Sequence, residues 1–136
     1  MYAHRRDVPY HPEAFGVLRS LAESHEPFGI PWHCLTEFLS VVTNARLWQG
    51  THTSTTRAVE QVEAWLGAPG AVALGEGPGF ARIWSEVMRE SGVSGGQVHD
   101  ARVAAVCLYH GVSEFLTVDR DFSRFPRLMT RNPLVA

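Results

Sequence analysis

Segments with helical periodicity alternate with short apolar runs along this chain, and that alternation restricts the fold more than any other feature of the sequence. Apolar residues at 3.6-residue spacing predict helices over 11–23, 32–43, 80–90 and 97–110, with a further one capped by Thr55 or Thr56 and closed by Gly67. Short apolar runs at 28–30, 71–74 and 115–118 predict strands between them. Strand and helix in alternation argue for the α/β class, with a mostly parallel central sheet flanked by helices in three layers. Local signals agree with this division. Pro12 and Pro31 suit first helical turns, and Gly111 suits the left-handed position that ends a helix. The expected apolar faces are Ala14, Val17, Leu18, Leu21 and Ala22; then Leu35, Phe38, Leu39 and Val42; then Val59, Val62 and Leu66; then Ile83, Trp84 and Val87. Phe122, Phe125 and Leu128 are expected to pack the final turn.

With 136 residues, 45% of them hydrophobic, the chain supports one core, and residues 1–136 are read as a single domain. No apolar run approaches the roughly 20 residues of a spanning helix, and Tyr2, His4, Arg5, Arg6 and Asp7 do not form a leader pattern. A soluble cytoplasmic protein without a membrane partner is therefore expected. Cys34 and Cys107 lack close-spaced Cys or His partners, which argues for buried thiols rather than a zinc site or disulfide. His4, His99 and His110 show no ligand spacing.

The net charge of −2 gives no overall attraction to polyphosphate. All twelve basic residues are arginine, and Arg120, Arg124, Arg127 and Arg131 fall in the last 17 positions. A planar guanidinium suits phosphate, while a uniform preference for arginine also fits a biased codon composition.

Carboxylates occupy three places that matter for chemistry. Asp119 follows the strand at 115–118, and open α/β sheets set their sites beyond the carboxyl ends of strands. Asp119 and Asp121 equally fit turn residues that cap through their side-chain oxygens. Asp100 shares a helix face with Ala104, Cys107 and Leu108, so its charge calls for a partner, a metal or a cleft. Its place in the first helical turn also suits the helix dipole. Glu37 lies almost opposite the stripe of Leu35, Phe38, Leu39 and Val42, and periodicity alone makes it solvent-facing.

Together these segments resemble the PIN-domain ribonucleases, and more closely the VapC-like toxins of bacterial toxin–antitoxin pairs. The likeness spans almost the whole chain. It is carried by Tyr2-Ala3-His4, by Pro31-Trp32 running into Thr36-Glu37-Phe38-Leu39, and by His99-Asp100-Ala101-Arg102 with Ala104-Ala105. Gly111 followed by Leu116-Thr117-Val118-Asp119-Arg120-Asp121-Phe122 completes it. The resemblance implies that Glu37, Asp100 and Asp119 take the second, third and fourth acidic positions, with Asp121 as a close auxiliary and Thr117 orienting water or a carboxylate. It implies Mg²⁺, with Mn²⁺ as an alternative, held by Glu37, Asp100 and Asp119 for hydrolysis of RNA phosphodiesters. Arg102 and Arg120 are the candidates for flanking phosphates, although each could instead pair with a neighbouring acid. A VapB-like antitoxin and a homodimer are the partners implied.

The N-terminus departs from the pattern. In the family, residues like Tyr2-Ala3-His4 follow a first strand that carries the leading catalytic aspartate, whereas here Met1 immediately precedes Tyr2. Strand and aspartate are thus expected to be missing from this chain, and Asp7 is a poor substitute. The expectation is a start assigned downstream of the native one. The competing expectation is a catalytically impaired protein that only binds an antitoxin or RNA.

Overall fold

A computed structural model describes residues 11–24 and 26–134. The Tyr2-Ala3-His4 segment, Asp7 and the question of a first strand lie outside the described residues. The chain divides into two compact units, Met1–Ala73 and Leu74–Ala136.

In the first unit, helix α1 (His11–Glu23) is followed by strand β1 (Phe28–Pro31), helix α2 (Trp32–Val42), helix α3 (Thr55–Leu66) and strand β2 (Ala71–Leu74), whose last residue crosses the boundary. Pro31, with φ −61°, leads the chain out of β1 straight into α2. Strands β1 and β2 form a pair, and the Phe28 amide donates to Gly70 O at 2.9 Å. The core of this unit is Leu35, Phe38 and Val42 of α2 against Ala58 and Val62 of α3, flanked by Ile30, Leu39, Trp65 and Leu66. Phe38 and Trp65 meet with ring centroids 4.7 Å apart and planes tilted by 60°.

The face of α3 is turned from the one expected. Ala58 is fully buried, whereas Val59 is 39% exposed. Alanine has no bulk beyond Cβ, so α2 can approach over Ala58, and the inward line becomes Ala58, Val62, Trp65 and Leu66. The helix is also capped one residue earlier than expected: the Ser54 side chain accepts from the Arg57 amide at 3.3 Å.

The second unit holds helix α4 (Phe80–Ser91), helix α5 (Gln97–Tyr109), strand β3 (Phe115–Leu116), a 3-10 helix (Arg120–Arg124) and strand β4 (Thr130–Arg131). Helix α5 is the most buried element: Ala101 and Val103 through Cys107 are each at most 2% exposed. Its small residues allow α4 to pack closely along it. The inward residue of α4 is Val87, while Trp84, expected inside, is 40% exposed. A half-exposed indole keeps its polar N–H within reach of water. Gly111, at φ +67°, ends α5 as the sequence predicts. The Gly111 amide donates to Leu108 O at 3.1 Å and the Val112 amide to Cys107 O at 3.0 Å, which satisfies two otherwise orphaned carbonyls.

The loop before α4 is tied to α5 at three points. Arg102 Nε meets Glu76 Oε1, Tyr109 Oη donates to Pro78 O at 2.8 Å, and His110 Nε2 lies 2.7 Å from Gly75 O. Strands β3 and β4 pair in parallel, with Phe115 opposite Thr130 and Leu116 opposite Arg131. Parallel strands need a return connection of about a dozen residues or more. The 3-10 helix supplies it, with Phe122, Phe125 and Leu128 buried as expected. Strand β4 was not foreseen. The α/β class holds, and among the described residues the strands form the pairs β1–β2 and β3–β4.

Candidate metal centre

Parallel pairing sends the carboxyl ends of β3 and β4 the same way, and Asp119 and Asp121 follow the end of β3. The turn after β3 is built by its own side chains. Thr117 Oγ1 accepts from the Asp119 amide at 3.1 Å, and Asp119 Oδ1 accepts from the Asp121 amide at 2.8 Å, starting the 3-10 helix. Phe122 of this turn is buried, its ring centroid 4.9 Å from Phe115 and 5.9 Å from Phe125 with planes tilted by 56° and 57°. Arg124 Nη1 reaches Gln97 Oε1 at 3.0 Å and so ties the 3-10 helix to the first residue of α5.

That tie matters because Asp100 sits in the first turn of α5. Asp100, Asp119 and Asp121 each offer a carboxylate oxygen, and these oxygens all lie within 4.8 Å of one another. Asp100 is half-buried, while Asp119 and Asp121 are exposed. The capping role that the sequence left open for Asp119 is the one its hydrogen bond displays, and its place in the acid group is compatible with it. One oxygen caps the turn, and the carboxylate still joins the acid group.

Three like charges this close raise the energy of the site unless a cation or protons offset them. The donor set consists of hard carboxylate oxygens only, without sulfur or imidazole, which fits Mg²⁺ or Mn²⁺ and disfavours a zinc-type centre. The residues present thus fit a hard divalent ion.

Glu37 belongs to the first unit, on the exposed side of α2 as its periodicity predicts. Its Oε1 lies 3.3 Å from His33 Nε2, one helical turn earlier; the His33 side chain is 12% exposed and that of Glu37 56%. The i,i+4 spacing of His33 and Glu37 was the available signal for this pair.

The two candidate phosphate-binding arginines part ways. Arg102 is engaged by Glu76 across a separation of 26 residues. Among the described residues Arg120 has no ion-pair partner, and it lines an open groove that begins at Asp119. Arg124, Arg127 and Arg131 all have partners: Gln97, the pair Glu86 and Glu90, and Glu114 respectively. Cys107 is buried, and the loss of water pushes its thiol up to about 11, so it offers no ligand or nucleophile near neutrality.

Known proteins resemble this chain in sequence over most of its length. The PIN domain family matches residues 3–128, which runs across both units. Ribonuclease VapC43 of Mycobacterium tuberculosis is 37% identical over 134 residues, covering 98% of this chain and 90% of that protein. A VapC ribonuclease of Mycobacterium bovis gives the same identity and coverage. Ribonuclease VapC48 of Mycobacterium tuberculosis is 27% identical over 133 residues, covering 98% of this chain and 91% of that protein. On the extent of the match and the identity, this chain belongs to the PIN-domain family and, within it, to the VapC-like proteins.

Proposed function

We propose that this chain is a divalent-metal-dependent endoribonuclease that acts as the toxin of a VapBC-like pair. The observation that carries the reading is the approach of Asp100, Asp119 and Asp121 within 4.8 Å in a chain 37% identical to VapC ribonucleases. Asp100 and Asp119 hold Mg²⁺ or Mn²⁺, with Asp121 beside them. Glu37 enters as a further carboxylate ligand on the family likeness alone. A divalent ion bound to such oxygens supplies Lewis acidity toward a phosphodiester and lowers the pKa of water.

The chain's own residues do the positioning. The cap from Asp119 Oδ1 to the Asp121 amide holds both carboxylates in one turn, and the Arg124–Gln97 tie sets that turn against Asp100. Thr117 fixes the approach to Asp119 through its hydroxyl. Arg120, rather than Arg102, is the cation available to a flanking phosphate. Residues 1–136 are read as one PIN domain working in the cytoplasm, as a homodimer restrained by a VapB-like antitoxin. Among the described residues no helix is long and apolar enough to cross a membrane.

The test is cleavage of single-stranded RNA by the full chain, with Mg²⁺ or Mn²⁺ and with EDTA. Metal-dependent cleavage is expected. Asp100→Asn should reduce it by a hundredfold or more, since loss of groups that merely orient a metal ligand already costs about 10- to 100-fold. Cleavage that persists in EDTA, or survives Asp100→Asn, would overturn the reading. An intact antitoxin complex with no cleavage under any divalent ion would make the chain a binding protein instead.

A further inference from the structure

The groove that begins at Asp119 continues away from the acids, between the 3-10 helix and β4, with a volume of about 470 Å³. Arg120 and Ser123 form one wall, and Thr130, Arg131 and Asn132 form the other. Ligand sites commonly enclose about 300–1,000 Å³, so the space suits one or two nucleotides. Asn132 Oδ1 accepts from the Leu134 amide at 2.9 Å, which locks the side chain and leaves its NH₂ as an oriented donor. Arg131 is held by Glu114 at 2.9 Å and stiffens the wall without offering a spare charge. Among the described residues, Arg120, Ser123 and Thr130 have neither hydrogen-bond nor ion-pair partners for their side chains.

We propose that this groove is the subsite for the RNA nucleotide flanking the scissile bond, with Arg120 on its phosphate and Asn132 reading its base. The proposal rests on the ribonuclease reading above and adds to it a direction for the strand and a determinant of sequence preference. The parallel β3–β4 pair explains the geometry. Both strands end on the same side, so Asp119 and Asn132 are presented side by side by segments distant in sequence. A strand entering past Arg120 would leave its scissile phosphate at the acids and its neighbouring base against Asn132. An NH₂ donor favours a base that turns an acceptor toward it, such as uracil with its O4, over one that turns an amino donor there, such as cytosine with its N4.

Binding of fluorescein-labelled single-stranded hexamers of U, C and A to the full chain, in EDTA at 50 to 200 mM salt, tests this without cleavage. Arg120→Gln should weaken every hexamer and lower the slope of log K against log salt by about 0.7, the value of one phosphate contact on a single strand. Asn132→Asp keeps the acceptor for the Leu134 amide, removes the donor and adds a negative charge. Its added charge weakens all hexamers alike, so the readout is the ratio among bases, which should shift about fivefold, the equivalent of one hydrogen bond. An unchanged salt slope in Arg120→Gln together with an unchanged base ratio in Asn132→Asp would overturn the subsite. Cleavage of the same RNAs with Mg²⁺, run in parallel, separates the two readings. Wild-type cleavage with indifferent variants refutes the groove alone, whereas variant-sensitive binding without any cleavage refutes the nuclease alone.

Discussion

Asparagine at position 119 separates charge from shape in the acid group. The Asp119 Oδ1 that accepts from the Asp121 amide at 2.8 Å has a counterpart in asparagine, so Asp119→Asn preserves the turn and deletes only the negative charge. With oxygens within 4.8 Å, each pair of carboxylates repels by about 0.9 kcal/mol in bulk water. A Debye length of about 8 Å at physiological salt reduces this to roughly 0.5 kcal/mol for exposed groups. Asp119 takes part in two of the three pairs, so its neutralisation relieves about 1 kcal/mol in the metal-free protein. For a chain of this size that corresponds to a Tm higher by roughly 3–6 °C.

Magnesium reverses the order. A site at tenfold saturation stabilises the folded chain by about 1.4 kcal/mol, and removing one of its ligands forfeits most of that gain. Thermal melts of wild type and Asp119→Asn, each in EDTA and in 10 mM Mg²⁺, give the four numbers needed. The variant should melt above wild type in EDTA and gain less from Mg²⁺. A variant that melts at or below wild type in EDTA, yet keeps the full Mg²⁺ increment, would refute the claim that these oxygens share one ion.

Two further predictions concern the support of the site. A Cβ at Gly77 would lie 2.6 Å from Tyr109 Oη, the hydroxyl that donates to Pro78 O, so Gly77→Ala should cost about 1–3 kcal/mol in urea unfolding. The same substitution in a Tyr109→Phe background should cost less; an equal cost in both would mean that the hydroxyl is not the obstacle. Burial raises the Cys107 thiol from 9.0 to about 11, so the folded state holds this proton more tightly than the unfolded state does. The resulting stability is complete below pH 9.0 and is lost as the pH rises through about 11. Cys107→Ala should flatten that alkaline decline. Native protein at pH 8 should react with iodoacetamide at half-buried Cys34 well before Cys107, and equal rates would contradict the burial.

Periodicity located the elements because long amphipathic stripes average over local exceptions. Helix α1 and strand β2 fall on their expected bounds, and α2, α4 and α5 differ from theirs by single end residues. It failed where fewer residues carry the signal. Strand β4 has two residues, too few for a period of two to register, and it exists because Thr130 and Arg131 can pair with β3. The rotation of α3 is a different failure: Ala58 and Val59 are both apolar, and only contact with α2 decides which is inward. Asp119 was legible as a cap or as a ligand; the cap is present, and because a carboxylate has two oxygens it does not exclude the proposed metal role.

The arginines show why side-chain partners resist prediction from sequence, and the pattern they form bears on function. Proximity to the acids made Arg102 and Arg120 equal candidates, but the pairing that separates them is with Glu76, 26 residues from Arg102. Similar long-range partners engage Arg124 at a separation of 27 and Arg131 at 17. The run of arginines near the C-terminus is therefore largely spent on internal contacts, in keeping with a net charge of −2. Within that C-terminal run, Arg120 has no ion-pair partner among the described residues, and it is next in sequence to a carboxylate of the acid group. If the proposed nuclease binds RNA mainly through such a local contrast, Arg120 beside the acid group, it should show a shallow salt dependence without Mg²⁺. Diffuse binding along a basic face predicts a steep one, and the hexamer titrations distinguish the two directly.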